Sequence, residues 1–359
     1  MTKSDIQSLY AKSSKVLAVS AALENKQARI HLKGMVGSSV SLILHSLFNK
    51  SEFPFLVLCD DKEAAAYYLN DLEHLINDQE VLFYPSSYRR PYQLEETDNA
   101  NVLLRAEVLN RINSRKKPFI IVTYPEAVFE KVVTRKELDK NTLKVAVGDQ
   151  ISIDFINEVL FEYHFKRVDF ISEPGEFSVR GGIVDVFSFS NDHPYRIEFF
   201  GNEVDSIRTF DVETQLSIAK QTKIAIIPNV ENKYLQENRE SFLNYIHPNT
   251  LLFIQNAEVV TAQLDKLFSL ATDAYNKLSK EIKHSTPEEL FIDQAAFLKK
   301  ALDFSLVEMG NSSLFKTEKT FEFHMQPQPS FNKQFDLLLN NLNENHFNGY
   351  KNYLFCSNE

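Results

Sequence analysis

The sequence predicts a parallel α/β fold that is interrupted by an inserted β-rich module. Continuous apolar runs at residues 55–59 and 119–123 are typical of strands buried on both faces of a parallel sheet, and segments with helical periodicity alternate with them. From about residue 141 the pattern changes to strand, turn and strand, and helical periodicity returns after about residue 230. We therefore expect residues 1–140 and 231–359 to form two halves of one α/β domain, with residues 141–230 inserted between them.

The first half alternates regularly between the two kinds of element. A polar run at residues 12–15 divides the first helical segment into two shorter helices. We predict helices at residues 4–24, 41–48, 62–76 and about 98–113, and strands at residues 28–32, 55–59, 81–84 and 119–123.

The second half returns to the same alternation, and we read it as the completion of the first sheet. The predicted helices are residues 231–244, 259–283, 288–304 and 331–345, and the predicted strands are residues 251–255, 320–324 and 350–355. The sequence stops directly after the last of these strands, so we expect a fragment of a longer protein.

The inserted module reads as a β meander with strands at residues 183–189, 195–200 and 203–210. The pair Gly201-Asn202 suits a type II′ hairpin turn, because glycine takes positive φ without steric cost. Arg196, Glu198 and Phe200 alternate with apolar neighbours and fall on one face of the second strand. An exposed ring at Phe200 would form an apolar patch for a partner; the alternative is that Phe200 packs under a neighbouring loop.

Composition and charge narrow the class of protein. The chain has 359 residues, of which 43% are hydrophobic and 12% aromatic, which is sufficient for two or three packed domains. The formal charge of −10 argues against nonspecific nucleic-acid binding by the whole chain. Cys59 and Cys356 offer neither a disulfide framework nor zinc spacing, and the histidines are scattered, so we expect no metal site and no cofactor. Without a signal peptide or a long apolar run, the sequence predicts a soluble cytoplasmic protein with no membrane association.

The segment KGMVGSSVS follows the first strand, where a phosphate-binding loop belongs, but it lacks the loop's chemistry. Gly34 and Ser41 match the ends of the pattern G-x-x-x-x-G-K-[ST], and Gly37 falls on a free position. Ser39 replaces the second glycine, and Val40 replaces the lysine that contacts the phosphates. We interpret this loop as degenerate and structural, with nucleotide hydrolysis or weak anion binding as the alternatives. No other arrangement in the sequence points to a catalytic residue.

The segment 84–110 combines tyrosine and arginine, which could stack on nucleobases, with acidic residues that would repel phosphates. We favour a structural loop. Asp60 and Asp61 follow a strand and precede a helix, so helix capping is the simplest role for them. For His31 and His324, packing in or beside a strand is the expected role.

The module also carries a family resemblance. Its matching residues are Gly175-Glu176-Phe177, Arg180-Gly181-Gly182, Asp185-Val186-Phe187, Tyr195 to Gly201, Glu203, Asp205 to Arg208 and Phe210-Asp211. In this order and spacing the module resembles the small β domain shared by the UvrB and Mfd families of bacterial excision-repair proteins. The match is strong in the module, fainter in the α/β halves, and rests on position and order alone in residues 231–359.

The resemblance implies the order of UvrB-like domains 1a, 2 and 1b, a degenerate P-loop as in the Mfd family, and docking of UvrA by the β domain. It assigns UvrA contact to Arg180, Arg196 and Phe200. If the loop between the first two predicted strands centres near residue 191, Arg180 falls opposite Asn202 and close to Phe200. The alternative for the two arginines is internal pairing with Glu198, Glu176 or Asp185.

Three functions remain open at this point. The first is a non-catalytic adaptor that recruits UvrA to stalled transcription complexes, as the Mfd resemblance implies, with RNA polymerase and DNA bound by domains outside this sequence. The second is a P-loop ATPase with an atypical loop, and the third is a UvrB-like DNA clamp. The missing lysine weighs against the ATPase, and the acidic charge weighs against the clamp.

Overall fold

A computed structural model shows an α/β body that carries a β-rich module. The residues it describes are 2–25, 27–76, 80–87, 92, 99–114, 117–189, 191, 193–228, 239–278 and 284–354.

The elements that precede the module are two short helices, four strands of the main sheet with their connecting helices, and a short β5–α7 segment. They are α1 Lys3–Ala11, α2 Ser14–Leu23, β1 Arg29–Lys33, α3 Ser39–Phe48, β2 Phe55–Leu58, α4 Lys62–Leu75, β3 Val81–Tyr84, α5 Asn99–Ser114, β4 Ile120–Thr123, α6 Pro125–Phe129, β5 Val132–Val133 and α7 Arg135–Lys140.

The module follows, and then the chain returns to the body. The module contains β6 Leu143–Ala146, α8 Ile153–Glu162, β7 Lys166–Arg167, β8 Glu176–Arg180, β9 Ile183–Val186, β10 Tyr195–Phe200, β11 Glu203–Phe210, β12 Ser217–Gln221 and β13 Lys223–Ile226. The return comprises β14 Arg239–Glu240, α9 Phe242–Tyr245, β15 Leu251–Gln255, α10 Ala257–Asn276, α11 Pro287–Leu290, α12 Gln294–Ala301, β16 Ser305–Met309, β17 Lys319–Glu322 and α13 Phe335–Phe347.

The main sheet draws strands from both sides of the module. Its seven strands run parallel in the order β17-β1-β16-β15-β2-β4-β3. Its central strands β2 and β15 are almost entirely apolar and buried, as expected for a parallel sheet covered on both faces. Phe55 and Phe253 sit next to each other across these strands, with ring centroids 4.8 Å apart. The chain therefore leaves this sheet after β4 and rejoins it at β15.

The module is a six-stranded sheet in the order β12-β11-β10-β9-β8-β7. Strand β6 enters the module and strand β13 leaves it, and the two pair antiparallel with Leu143 opposite Ile226. Helix α8 covers one face of the six-stranded sheet, where the Phe161 ring meets the edge of Phe177 at 5.2 Å. We call this covered side the inner face and the opposite side the outer face.

The turns follow the predicted chemistry. Strands β8 and β9 are joined by Gly181-Gly182, and β10 and β11 by Gly201-Asn202. Gly201 has φ of +62°, in the left-handed region that favours glycine. The predicted break in the first helical segment is also present, between α1 and α2.

Several predicted elements differ from the structure. The helix predicted at residues 288–304 is two short helices, because Phe291 bridges to Glu130 and Asp293 caps α12. Strand β16 and helix α8 were not predicted. The predicted final strand is wrong over residues 350–354, which form no strand. Most of the helix predicted at residues 231–244 lies outside the described residues.

Candidate functional site

The outer face of the six-stranded sheet carries rows of charged side chains. Cross-strand neighbours share a face, so the register defines the rows. The register gives the first row as Ser178, Asp185, Arg196, Arg208 and Lys220, and the second as Arg180, Ile183, Glu198 and Ser206.

Asp185 is the centre of the first row, and two arginines bind it. Its side chain is 1% exposed. Arg196 donates through Nε to Oδ1 at 2.8 Å and through a terminal nitrogen to Oδ2 at 2.9 Å. Arg180 donates to Oδ2 through one terminal nitrogen. The internal pairing with Asp185, left open by the sequence, is therefore present for both arginines.

Hydrogen bonds and a ring contact hold the Arg196 side chain in place. Its guanidinium lies 4.2 Å from the ring centroid of buried Phe210, and Gln215 accepts further hydrogen bonds at 3.4 Å. The hydrogen bonds to Asp185 raise the pKa of Arg196 above its ordinary value. Only 17% of its side chain is exposed. Arg196 therefore presents little surface to a partner and mainly holds the Asp185 carboxylate.

Glu198 forms a second, more open ion pair on this face. It accepts hydrogen bonds from Ser206, at 2.7 Å, and from Arg208. The Ser206 hydrogen bond, aided by Arg208, lowers the pKa of Glu198. Both members of the ion pair are about one-third exposed, so water screens the interaction.

Phe200 stands out from the end of β10. Its side chain is 84% exposed, so the alternative that it packs under a loop does not hold. Arg196 and Phe200 lie on the same face of β10, as the alternation predicted. Arg180 does not lie beside Phe200, because the turn at Gly181-Gly182 sends β8 back along β9. The predicted position of Arg180 opposite Asn202 is wrong; Arg180 lies opposite Ile183, two strands from β10.

The loop after β1 is hydrogen-bonded to a later segment of the chain, residues 323–325. Phe323 donates its backbone N–H to Lys33 O at 2.6 Å, and Met325 donates to Gly34 O at 3.1 Å. The predicted P-loop positions are used for packing: Val40 and Ser41 are buried in α3, and Ser39 donates to Val36 O at 2.6 Å. Gly37 has φ of +56° with open space around it. Val40 therefore presents no cation to a phosphate, and the Ser39 hydroxyl is already engaged by Val36.

Tyr92, in the tyrosine- and arginine-containing segment, is anchored by contacts within the chain. Tyr92 donates to Ser285 O at 2.9 Å, and its ring packs against Tyr275 and Phe291. Downstream, buried Arg105 pairs with buried Glu130 at 3.2 Å. Residues 88–91 and 93–98 of the predicted loop lie outside the described residues. The ring of Tyr92 is thus engaged in packing, which agrees with a structural role for this position.

The remaining candidates have structural partners. Asp61 caps α4 by accepting from Ala64 N at 2.8 Å, as predicted. Asp60 instead accepts from Asn256 at 2.6 Å, and burial raises the pKa of its carboxyl. His31 lies 2.9 Å from Gly310 O through Nε2. Within the described ranges, no group of three or more His, Cys, Asp or Glu side chains could hold a metal ion.

No helix in the described part of the chain is long and apolar enough to cross a membrane.

Comparison with known proteins identifies the module. Residues 143–232 match the UvrB interaction domain family. The transcription-repair-coupling factor of Bacillus subtilis (strain 168) is 32% identical over 201 residues, which cover 56% of this chain and 17% of that protein. The factor of Myxococcus xanthus is 28% identical over 217 residues, 59% of this chain and 18% of that protein. The factor of Staphylococcus epidermidis (strain ATCC 35984) is 28% identical over 250 residues, 67% and 21% respectively.

The matched region spans about a fifth of the length of these relatives. The six-stranded sheet with its β6–β13 stem is a UvrB interaction domain, carried on a parallel α/β body. These matches support the predicted resemblance of the chain to the N-terminal region of transcription-repair-coupling factors, Mfd.

Proposed function

We propose that this chain is the adaptor part of a transcription-repair-coupling factor and that it recruits UvrA to stalled transcription complexes for nucleotide excision repair. The observation that carries the proposal is the outer face of its UvrB interaction domain. There an 84% exposed Phe200 stands at the end of β10, and Asp185 holds in place both Arg196 of that strand and Arg180 of β8. An exposed ring and fixed guanidinium groups on the same face are the composition of an interface hot spot.

The chain acts by binding and performs no reaction in this proposal. Val40 stands in the lysine position and is buried, and the backbone around Gly34 is paired with residues 323–325. A loop built this way has no cation for the β- and γ-phosphates. In this proposal RNA polymerase and DNA are bound by other parts of the coupling factor, and the protein works in the cytoplasm.

A direct titration of purified UvrA into the chain tests the proposal. We expect a saturable complex, detected by calorimetry, that does not require ATP hydrolysis by this chain. Absence of binding at micromolar concentrations of both proteins would overturn the adaptor function.

Nucleotide turnover tests the non-catalytic part. We expect no steady ATP hydrolysis above background from the chain, nor from Val40→Lys, because the glycine position is still occupied by Ser39. Turnover that disappears in Ser41→Ala would instead support an atypical P-loop ATPase.

A UvrB-like DNA clamp is not favoured by the contacts of Tyr92, which point its hydroxyl into the chain. Single-stranded DNA binding that is tight at physiological salt would revive that function.

A further inference from the structure

The segment between β7 and β8 crosses the outer face and fixes one exposed ring there. Ser178 of the first row donates to Asp169 O at 3.0 Å. Ile171 packs with Phe187 and Phe210 in a small buried cluster. Phe170 lies between these two anchor points, yet its side chain is 67% exposed. The neighbours of Phe170 thus hold its backbone to the sheet while the ring remains in solvent.

Arg180 lies against this ring. Its guanidinium carbon is 5.1 Å from the Phe170 centroid, a distance typical of a cation–π contact. The side chain is 40% exposed, more than twice the exposure of Arg196. In the described part of the protein, the single donation to Asp185 is the only hydrogen bond that Arg180 makes. Its other N–H donors therefore remain open to an acceptor from outside.

The two arginines differ in how well the Asp185 carboxylate remains paired when one of them turns to another acceptor. Arg196 already engages both carboxylate oxygens, so Asp185 keeps a bidentate counter-ion if Arg180 turns to another acceptor. If Arg196 turned away, the buried carboxylate would keep a single donor. Arg180 can therefore change partner at low cost, and Arg196 cannot.

The resemblance already assigns UvrA contact to Arg180. We propose that Phe170 joins it as a further contact residue, so that the two form a second contact element, separate from Phe200, in which Arg180 receives a carboxylate of UvrA and the Phe170 ring an adjacent apolar group. This inference rests on the proposed function. Planar guanidinium binds carboxylates through two parallel N–H donors, and the ring keeps it oriented. Arg196 is a positioning residue in this scheme.

The charge of the face fits an acidic partner surface. The two rows contain four basic side chains, Arg180, Arg196, Arg208 and Lys220, and two acidic ones, Asp185 and Glu198. Glu203, opposite Phe200 on the same face, lies outside these two rows, so the excess of positive charge is local to them, in a chain whose formal charge is −10. Electrostatic complementarity of this kind favours an acidic surface over a basic one.

The test is calorimetric titration of UvrA into the full chain and into Phe170→Ala. We expect the Kd to rise about ten-fold in Phe170→Ala, with the melting temperature unchanged. The matched control is Phe155→Ala, which removes a 48% exposed ring from α8 on the inner side of the same module. Its Kd should equal that of the parent.

A second variant separates recognition from folding. Arg180→Lys keeps the charge but loses the planar fork and the stacking on Phe170. We expect a Kd several-fold above that of the parent and an unchanged melting curve. Parent-like Kd values for both Phe170→Ala and Arg180→Lys would overturn the second contact element while leaving the proposed function intact. Failure of the parent to bind UvrA would overturn both.

Discussion

Asp185 binds two guanidinium groups at once, and it binds them unequally. Arg196 is bidentate, stacked on Phe210 and mostly buried, whereas Arg180 is bound through one nitrogen and is more exposed. Sequence reasoning could name both arginines and the carboxylate, because they occupy matching positions of the module. It treated the two arginines as equivalent contact residues. Their burial and stacking differ because segment 168–172 covers part of the sheet, and the position of that segment cannot be read from the sequence pattern.

This inequality predicts different stabilities for the two alanine variants. Arg196→Ala should lower the free energy of unfolding by about 3 kcal/mol, because a buried carboxylate loses its main counter-ion. Arg180→Ala should change it by less than about 1 kcal/mol, since that ion pair is partly solvated. Urea denaturation of both variants measures the difference.

The control for charge removal alone is Arg208→Ala, which breaks the solvated pair with Glu198. It should behave like Arg180→Ala. Equal losses in all three variants would contradict the special role of Arg196.

His45 gives the fold a pH dependence. Its Nε2 lies 2.9 Å from the Asn49 amide nitrogen and 3.3 Å from that of Gln7, and amide nitrogens only donate, so Nε2 accepts and the ring is neutral. Burial, with Lys3 nearby, lowers the pKa of His45. The unfolded chain therefore takes up a proton first as pH falls through about 6.5, the ordinary histidine value.

We expect the free energy of unfolding to decrease as pH is lowered from about 7.5 to 5.5. His45→Gln should reduce this slope, because glutamine does not titrate. Denaturation midpoints measured across this range check the prediction. A slope that is identical in the variant would assign the pH dependence to other groups.

At the level of elements, the loop after β1 shows which structural role the degenerate P-loop pattern has. Gly34 matches a P-loop glycine; in the structure it has φ of +74° and lies against Phe323, directly after the edge strand β17. A Cβ at this position would lie 2.0 Å from Phe323 O. The glycine is required for strand packing, which local sequence cannot reveal because residue 323 is far along the chain.

Gly34→Ala should therefore destabilise the body strongly. We expect a loss of more than about 2 kcal/mol in the free energy of unfolding, from both backbone strain and the clash with Phe323. Gly37→Ala is the matched control: its φ is also positive, but a Cβ there meets nothing within 4 Å. It should cost only about 1 kcal/mol. Equal losses in chemical denaturation would show that backbone strain alone explains the effect.

Strands were predicted well where the apolar run was unbroken, as for β2 and β15, and poorly where a polar residue interrupted it. Strand β16 contains buried Glu308, which would be costly without partners. The Ser313 hydroxyl and the backbone N–H groups of Leu314 and Phe315 donate to it. These donors follow the strand in a loop, so the pattern of the strand alone gave no signal. Phe170 was missed for a similar reason, because its position depends on contacts with β8 and β11.

At the scale of the whole molecule, the strands form two separate sheets, one in the body and one in the module that carries the proposed docking face. The main sheet combines strands from both ends of the sequence, while the UvrB interaction domain leaves and returns through the paired strands β6 and β13. Alternation of strands and helices was enough to predict an insertion. The domain limits at about residues 141 and 230 stay a prediction, and residues 229–238 lie outside the described ranges.

The paired stem predicts that the body folds without the module. Leu143 and Ile226 are cross-strand partners, so their Cα atoms are about 5 Å apart and a short linker can join them. Replacement of residues 144–225 by two glycines should give a protein that melts cooperatively and does not bind UvrA. Loss of a cooperative melt would show that the body depends on the module for its core.

The most direct test of the docking face is the affinity of UvrA for the chain and for Phe200→Ala, measured by calorimetry at one salt concentration. Phe200 is 84% exposed, so its removal leaves folding unaffected and changes only what a partner can contact. We predict a Kd at least about ten-fold higher for Phe200→Ala, with an unchanged melting temperature. Equal affinities for the parent and the variant, with both proteins folded, would contradict the placement of UvrA on the outer face.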